Sequence, residues 1–172
     1  MYRLEIYGNF GDAWGANICR PYVTLLKDIP QVKNAIYISP YVHETDVKVG
    51  NRTITVPSIT MGKPGIEFFT GKLLSGSSKT CGDGHNVIVS RSTAEKMFGT
   101  VNAAGKTFEG ENGDGAKTTV TVVGVSEDMP DNCTLPNGVY LCENESVMND
   151  WSEWSFNVYM LLDQGANPKK VE

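Results

Sequence analysis

Strand-length runs closed by turn signals recur through the middle of this chain, and they constrain its fold more than any other feature. Val47-Lys48-Val49 and Thr53-Ile54-Thr55-Val56 flank Gly50-Asn51, a two-residue turn whose residues tolerate positive φ, so the spacing predicts a β-hairpin. Thr107-Phe108 and the Thr/Val run from Thr118 to Val125 predict a second one, joined by Glu111-Asn112-Gly113-Asp114-Gly115. Further strands are expected over Ala35 to Val42, Asn86 to Ser90 and, after Pro136-Asn137-Gly138, Val139 to Cys142. At one end Tyr2, Leu4 and Ile6 alternate with Arg3, Glu5 and Tyr7 as in a half-buried strand, and at the other Phe156, Val158, Met160 and Leu162 alternate with Asn157, Tyr159 and Leu161 to make a strand.

Helical signals are fewer. Tyr22, Val23, Leu25, Leu26 and Ile29 follow helical spacing, predicting an amphipathic helix from about Ala16 that Pro30 ends. Ile66 to Leu74 predicts a short helical turn closing on Gly76, followed by an aperiodic loop from Ser75 to Gly84. Ser92-Thr93-Ala94-Glu95 matches a capping box, opening a helix that Gly99 ends. Asn167-Pro168 offers an N-cap and a first-turn proline for a helix of which only Lys169 to Glu172 remain, so the chain is expected to be a piece of something longer. Strands outnumber helices, and the fold class is α+β.

Composition narrows the function. The 172 residues carry 15 Lys and Arg against 20 Asp and Glu, a net charge of -5, and no clustered basic segment beyond Lys169-Lys170, which argues against nucleic acid as a partner. No segment approaches the run of about 18 apolar residues that a membrane helix needs, so the chain as it stands is expected to be soluble. The four cysteines, Cys19, Cys81, Cys133 and Cys142, have neither CxxC spacing nor histidines at zinc-finger distances.

Residues able to carry chemistry are weak candidates. His43-Glu44 sit at a strand end, where neighbours point to opposite faces. Cys81-Gly82-Asp83-Gly84-His85 supplies three ligand types at alternate positions, but no fourth, and reads as a surface loop. Glu127-Asp128 before Met129-Pro130 suit a cap on a turn better than acid–base work. Gly105-Lys106-Thr107 imitates a phosphate loop but leads from a helix into a strand, the reverse of the order such a loop requires. Trp151 and Trp154 are expected as lids on a core. These residues predict no enzyme, cofactor or metal.

The stretch from Val87 through Ser90, Thr93, Ala94 and Met97 to Phe98-Gly99, then Gly105-Lys106-Thr107, then Val120 to Gly124-Val125 and Asp128-Met129-Pro130-Asp131-Asn132, resembles the MacB-like periplasmic core domain of MacB/FtsX-type ABC transporter permeases. Tyr2-Arg3-Leu4-Glu5, Pro30-Gln31-Val32 and Phe68-Phe69 to Leu73-Leu74-Ser75-Gly76 resemble further family segments. The resemblance implies an extracytoplasmic domain inserted between two membrane helices of a permease, with no catalytic residue. It implies a cytoplasmic ABC ATPase, a second permease copy and a periplasmic or outer-membrane protein as partners. It also implies a βαβ-type, porter-like, membrane-proximal lobe and a strand-rich distal lobe, expected over 1–45 with 143–172 and over 46–142. Phe98, Gly99, Gly105, Lys106, Gly124, Val125, Asp128 and Pro130 are then structural: a helix C-cap at Gly99, a turn at Gly105 and a bulge or close approach at Gly124. The alternative reading is a free-standing envelope or secreted module that binds a ligand or protein.

An extracytoplasmic site is oxidising. Cys133 lies in the turn from Pro130 to Pro136 and Cys142 on the strand it feeds, so a disulfide between them is expected if the turn doubles back, and two separate thiols if it does not.

Overall fold

The computed structural model describes residues 1–8, 11–63, 65–69, 71–82, 85–111, 116–168 and 171. In chain order the elements are β1 (Tyr2–Arg3), β2 (Ile6–Tyr7), β3 (Trp14–Gly15), α1 (Tyr22–Lys27), β4 (Val32–Ile38), β5 (His43–Val49) and β6 (Arg52–Met61). There follow β7 (Leu73–Gly76), β8 (Asn86–Ser90), α2 (Arg91–Phe98), β9 (Thr107–Glu111), β10 (Lys117–Ser126), β11 (Val139–Cys142) and β12 (Asn157–Leu162). Short 3-10 turns cover Gly65–Phe69, Ser78–Thr80 and Glu145–Asn149. The fold is α+β, with strands dominant, and the chain divides into two units, 1–40 with 145–172 and 41–144.

In the first unit β12 pairs antiparallel with β1 on one side and β4 on the other, with Tyr159 opposite both Arg3 and Ile36. β1 and β4 therefore run parallel, and α1 lies between them in sequence, which makes a split βαβ arrangement. Val23 and Leu26 of α1 are buried with Ile18, Ala35, Tyr37, Phe156 and Val158.

Two expectations shorten here. α1 begins at Tyr22 rather than near Ala16, because the chain is still extended at Ile18, which exchanges backbone hydrogen bonds with Phe156 at 2.8 and 3.1 Å. Pro21 then opens the helix, and in six residues only one turn faces the core, leaving Leu25 half exposed. The single strand expected over Tyr2 to Ile6 breaks after Leu4, whose N–H still reaches the Val158 carbonyl at 2.8 Å; Ile6-Tyr7 turn away to pair with Trp14-Gly15. Of the helix expected after Asn167-Pro168, Lys169, Lys170 and Glu172 lie outside the described residues.

The second unit is a closed circuit of six strands in the order β6-β11-β8-β10-β9-β5, with β5 pairing back onto β6. The β6–β11 and β8–β10 pairs are parallel and the rest antiparallel. Closure removes the open edges that flat sheets must otherwise protect. Val47, Val56, Val87, Val89, Phe108, Val120, Val122, Val125 and Val139 form its core with Ala94 and Met97 of α2. Ten-residue β10 pairs with β9 over Lys117–Thr121 and with β7 from Gly124 to Ser126, while β8 runs along its other side.

Gly50-Asn51 form the expected two-residue turn, with Val49 opposite Arg52, and the hairpin extends well beyond the residues that signalled it. The β9–β10 pairing is present, although residues 112–115 of its loop lie outside the described residues. The helical turn expected over Ile66 to Leu74 stops at Phe69, because the backbone beyond finds partners on β10 and becomes β7. α2 starts one residue before Ser92, so its N-cap is Ser90, whose hydroxyl accepts from the Thr93 N–H at 3.3 Å.

Candidate functional site

The family-like segments between Val87 and Asn132 come together around the two ends of α2. At its C-terminus Gly99 adopts φ of 69°, and its N–H caps the Glu95 carbonyl at 2.8 Å. This is the left-handed position that glycine fills without a Cβ penalty. The Lys106 ammonium lies 5.9 Å from the centre of the Phe98 ring, and the Gly105 N–H donates to the Val122 carbonyl at 2.7 Å while the Val122 N–H donates to the Lys106 carbonyl at 2.9 Å. The Gly-Lys pair thus extends the sheet beside β10. The β10 register shifts between Val122 and Gly124, and a side chain at Gly124 would press on Leu73 at 3.3 Å. Val125 is fully buried.

At the N-terminus of α2 an Asp128 carboxylate oxygen accepts from both the N–H and the hydroxyl of Ser92, each at 3.0 Å. It satisfies a donor that the first turn leaves unpaired. The exposed Pro130 begins a turn whose return is held by Asn137: its side chain accepts from the Met129 N–H at 2.7 Å and donates to the Met129 carbonyl at 3.1 Å. The Asn137 carbonyl accepts from the Thr93 hydroxyl, and the Gly138 carbonyl from the Ser90 N–H. The buried Tyr140 hydroxyl donates to the Pro136 carbonyl at 2.9 Å. Burial, reinforced by Asp128 and Cys133, raises the Tyr140 pKa and keeps the phenol neutral. Asn137 carries this clamp, and the sequence singled it out only as part of a turn.

The structure draws no bond between Cys133 and Cys142, and the side chain that Cys142 meets at the end of β8 is Cys81. The Asn137 clamp holds the return of the Pro130-to-Pro136 turn, while β11 carries Cys142 along β8 to the level of Asn86. The Cys142 thiol is held protonated by its hydrogen bond to Cys81 and by burial. Burial likewise raises Cys19.

The other candidates do not converge on chemistry. Asp83 and Gly84 of the Cys-rich loop lie outside the described residues; Cys81 is buried, whereas His85 is exposed, its Nδ1 3.2 Å from the Thr118 hydroxyl. Among the described residues, no three His, Cys, Asp or Glu side chains gather as a metal site. His43 is exposed at the start of β5, and the Glu127 N–H pairs with the Lys72 carbonyl.

Trp151 and Trp154 both meet the Tyr22 ring edge-on, at 5.6 and 5.8 Å, but Trp151 remains half exposed rather than forming a full lid. Beside them Arg20 is buried, its guanidinium 3.9 Å from the Phe156 ring centre and 2.5 Å from a Glu153 carboxylate oxygen. Beside β1 a groove of about 550 Å³ is lined by Arg3, Glu5, Trp14, Met160, Leu162 and Val171, among others. Among the described residues no helix is long and apolar enough to cross a membrane.

Comparison with known proteins places this framework. Solved structures share the fold: a domain of a putative permease from Porphyromonas gingivalis has a TM-score of 0.74 at 21% identity, covering 92% of this chain and 74% of that one. The periplasmic region of MacB from Actinobacillus actinomycetemcomitans has a TM-score of 0.64 at 14% identity, covering 99% and 78%. The extracellular domain of the ABC-type transporter YknZ from Gram-positive bacteria has a TM-score of 0.63 at 17% identity, covering 91% and 79%. No curated protein matches the chain. The class is that of the periplasmic domains of ABC transporter permeases. Residues 4–172 match the MacB-like periplasmic core domain, and the chain belongs to that family.

Proposed function

We propose that this domain is a non-catalytic coupling element of its transporter, linking ATP hydrolysis by a cytoplasmic ABC ATPase to substrate export or to force transmission in the cell envelope. The observation that carries the reading is the family match over residues 4–172, nearly the whole chain. The family motif supports it, since the Lys106 ammonium lies over the Phe98 ring and the Asp128 carboxylate caps α2 at Ser92, both structural contacts. In this reading residues 1–45 with 143–172 form the membrane-proximal lobe and 46–142 the distal lobe. A second permease copy and a periplasmic or outer-membrane protein are its partners outside the cytoplasm.

The test uses the full-length permease in the inner membrane. An alkaline phosphatase inserted at the exposed Gly50-Asn51 turn should be active, as it is only outside the cytoplasm, and an ATPase subunit should copurify with the permease. In proteoliposomes, replacing residues 41–144 with a Gly/Ser linker should leave basal ATP hydrolysis intact and abolish the transport or force readout. An inactive fusion, or a readout indifferent to the replacement, refutes the proposal.

A further inference from the structure

Cys81 and Cys142 are far apart in sequence and meet inside the second unit through three separate contacts. The β11–β8 register, Leu141 opposite Val87, carries Cys142 to the level of Asn86. The Cys81 thiol donates to the Asn86 carbonyl at 3.3 Å, so both sulfurs lie at the same end of β8. The adjoining backbones also touch: a Cβ on Gly82 would stand 3.2 Å from the Glu143 carbonyl oxygen. Both side chains are almost wholly buried, Cys81 at 2% and Cys142 at 3% exposure, and their thiols are hydrogen-bonded to each other.

We propose that Cys81 and Cys142 are a disulfide site, closed when the chain folds in an oxidising compartment. Each thiol loses a proton and the pair loses two electrons to an external disulfide, RSSR, giving the Cys81–Cys142 bond and two RSH molecules. In the folded chain the site is buried and the Cys142 thiol is held protonated, so exchange is slow there; the bond forms while β11 and the loop before β8 are still docking. Once closed, it ties together the two ends of a segment that contains β8, α2, β9, β10 and β11. The pairing rests on this geometry and not on the transport role.

The test is to refold the 172-residue chain with reduced and oxidised glutathione, block remaining thiols with N-ethylmaleimide, and map peptides by mass spectrometry without reduction. We expect one linked pair joining the Cys81 and Cys142 peptides, lighter than their sum by two hydrogens, with the maleimide on Cys19 and Cys133. The oxidised chain should melt about 5–15 °C above the same chain in dithiothreitol. That difference should survive Cys133→Ala and vanish in Cys81→Ala. Should the Cys81 variant fail to fold, the wild-type comparison with and without reductant still decides. Maleimide on both Cys81 and Cys142, or a link from Cys142 to Cys133 or Cys19, overturns the proposal.

Discussion

Two glycines in the second unit separate backbone strain from crowding. Gly76 and Gly99 have nearly the same left-handed backbone, φ of 79° and 69°. A Cβ added at Gly99 meets nothing within 4 Å, whereas one at Gly76 would stand 2.0 Å from the Val123 carbonyl oxygen and 2.7 Å from the Gly124 Cα. Gly99→Ala therefore bears only the left-handed penalty, about 1 kcal/mol. Gly76→Ala bears that penalty and must also push β7 off β10 by more than an ångström. The Val123 oxygen in the way is the acceptor for the Ser77 N–H at 2.9 Å, so that bond is lost too, at about 1–3 kcal/mol. Together these make Gly76→Ala cost about 2–4 kcal/mol. In a unit of this size the two variants should lower Tm by about 4–8 °C for Gly99→Ala and by about two to four times as much for Gly76→Ala.

The readout must report on the right unit. Trp14, Trp151 and Trp154, the chain's three tryptophans, all lie in the first unit, so urea unfolding should be followed by far-UV circular dichroism or by hydrogen exchange at β10 amides. Equal losses for the two variants would refute the argument that close backbone approach is what requires glycine at position 76.

Asn137→Ala leaves the buried Met129 backbone without its two hydrogen bonds and should cost about 2–3 kcal/mol in the second unit, read by circular dichroism. Arg20→Ala removes both the stack on Phe156 and the ion pair with Glu153, and should destabilise the first unit by about 2–3 kcal/mol in tryptophan-monitored urea unfolding. Arg20→Lys should recover only part of this, because an ammonium lacks the planar face. The Asp150 carboxyl sits below its usual 3.8 because Ser152 donates to it from hydroxyl and backbone, with Arg20 adding a smaller effect. A depressed native pKa contributes stability above the unfolded value that is lost as pH falls through the folded one. Ser152→Ala should therefore lower stability at pH 7, where that contribution is fully present, and the difference from the wild type should vanish as pH falls through the carboxylate range, read by urea unfolding at both pH values.

Local chemistry was legible in the sequence wherever neighbours in the chain decide the outcome. Gly50-Asn51 turns the β5–β6 hairpin because the turn needs only its own two residues and the flanking strands. The same holds for the apolar strand β8, the Thr/Val-rich β10, the alternating β12 and the Gly99 cap. The α+β class followed from these elements, and the ordered motif from Val87 to Asn132 carried the family.

What distant partners supply was settled only in three dimensions. The helix signalled by Tyr22 to Ile29 was expected to begin near Ala16, but Phe156 offers Ile18 a strand partner, and a paired backbone outweighs the weak preference of a short helix. Leu73-Leu74 likewise follow β10 instead of continuing a helical turn. The closure of the six-stranded circuit, the Asn137 clamp on Met129 and the meeting of Cys142 with Cys81 rather than with nearby Cys133 all depend on strand register between remote segments. Register is a property of packing and not of spacing along the chain, so it could not be read from local sequence alone.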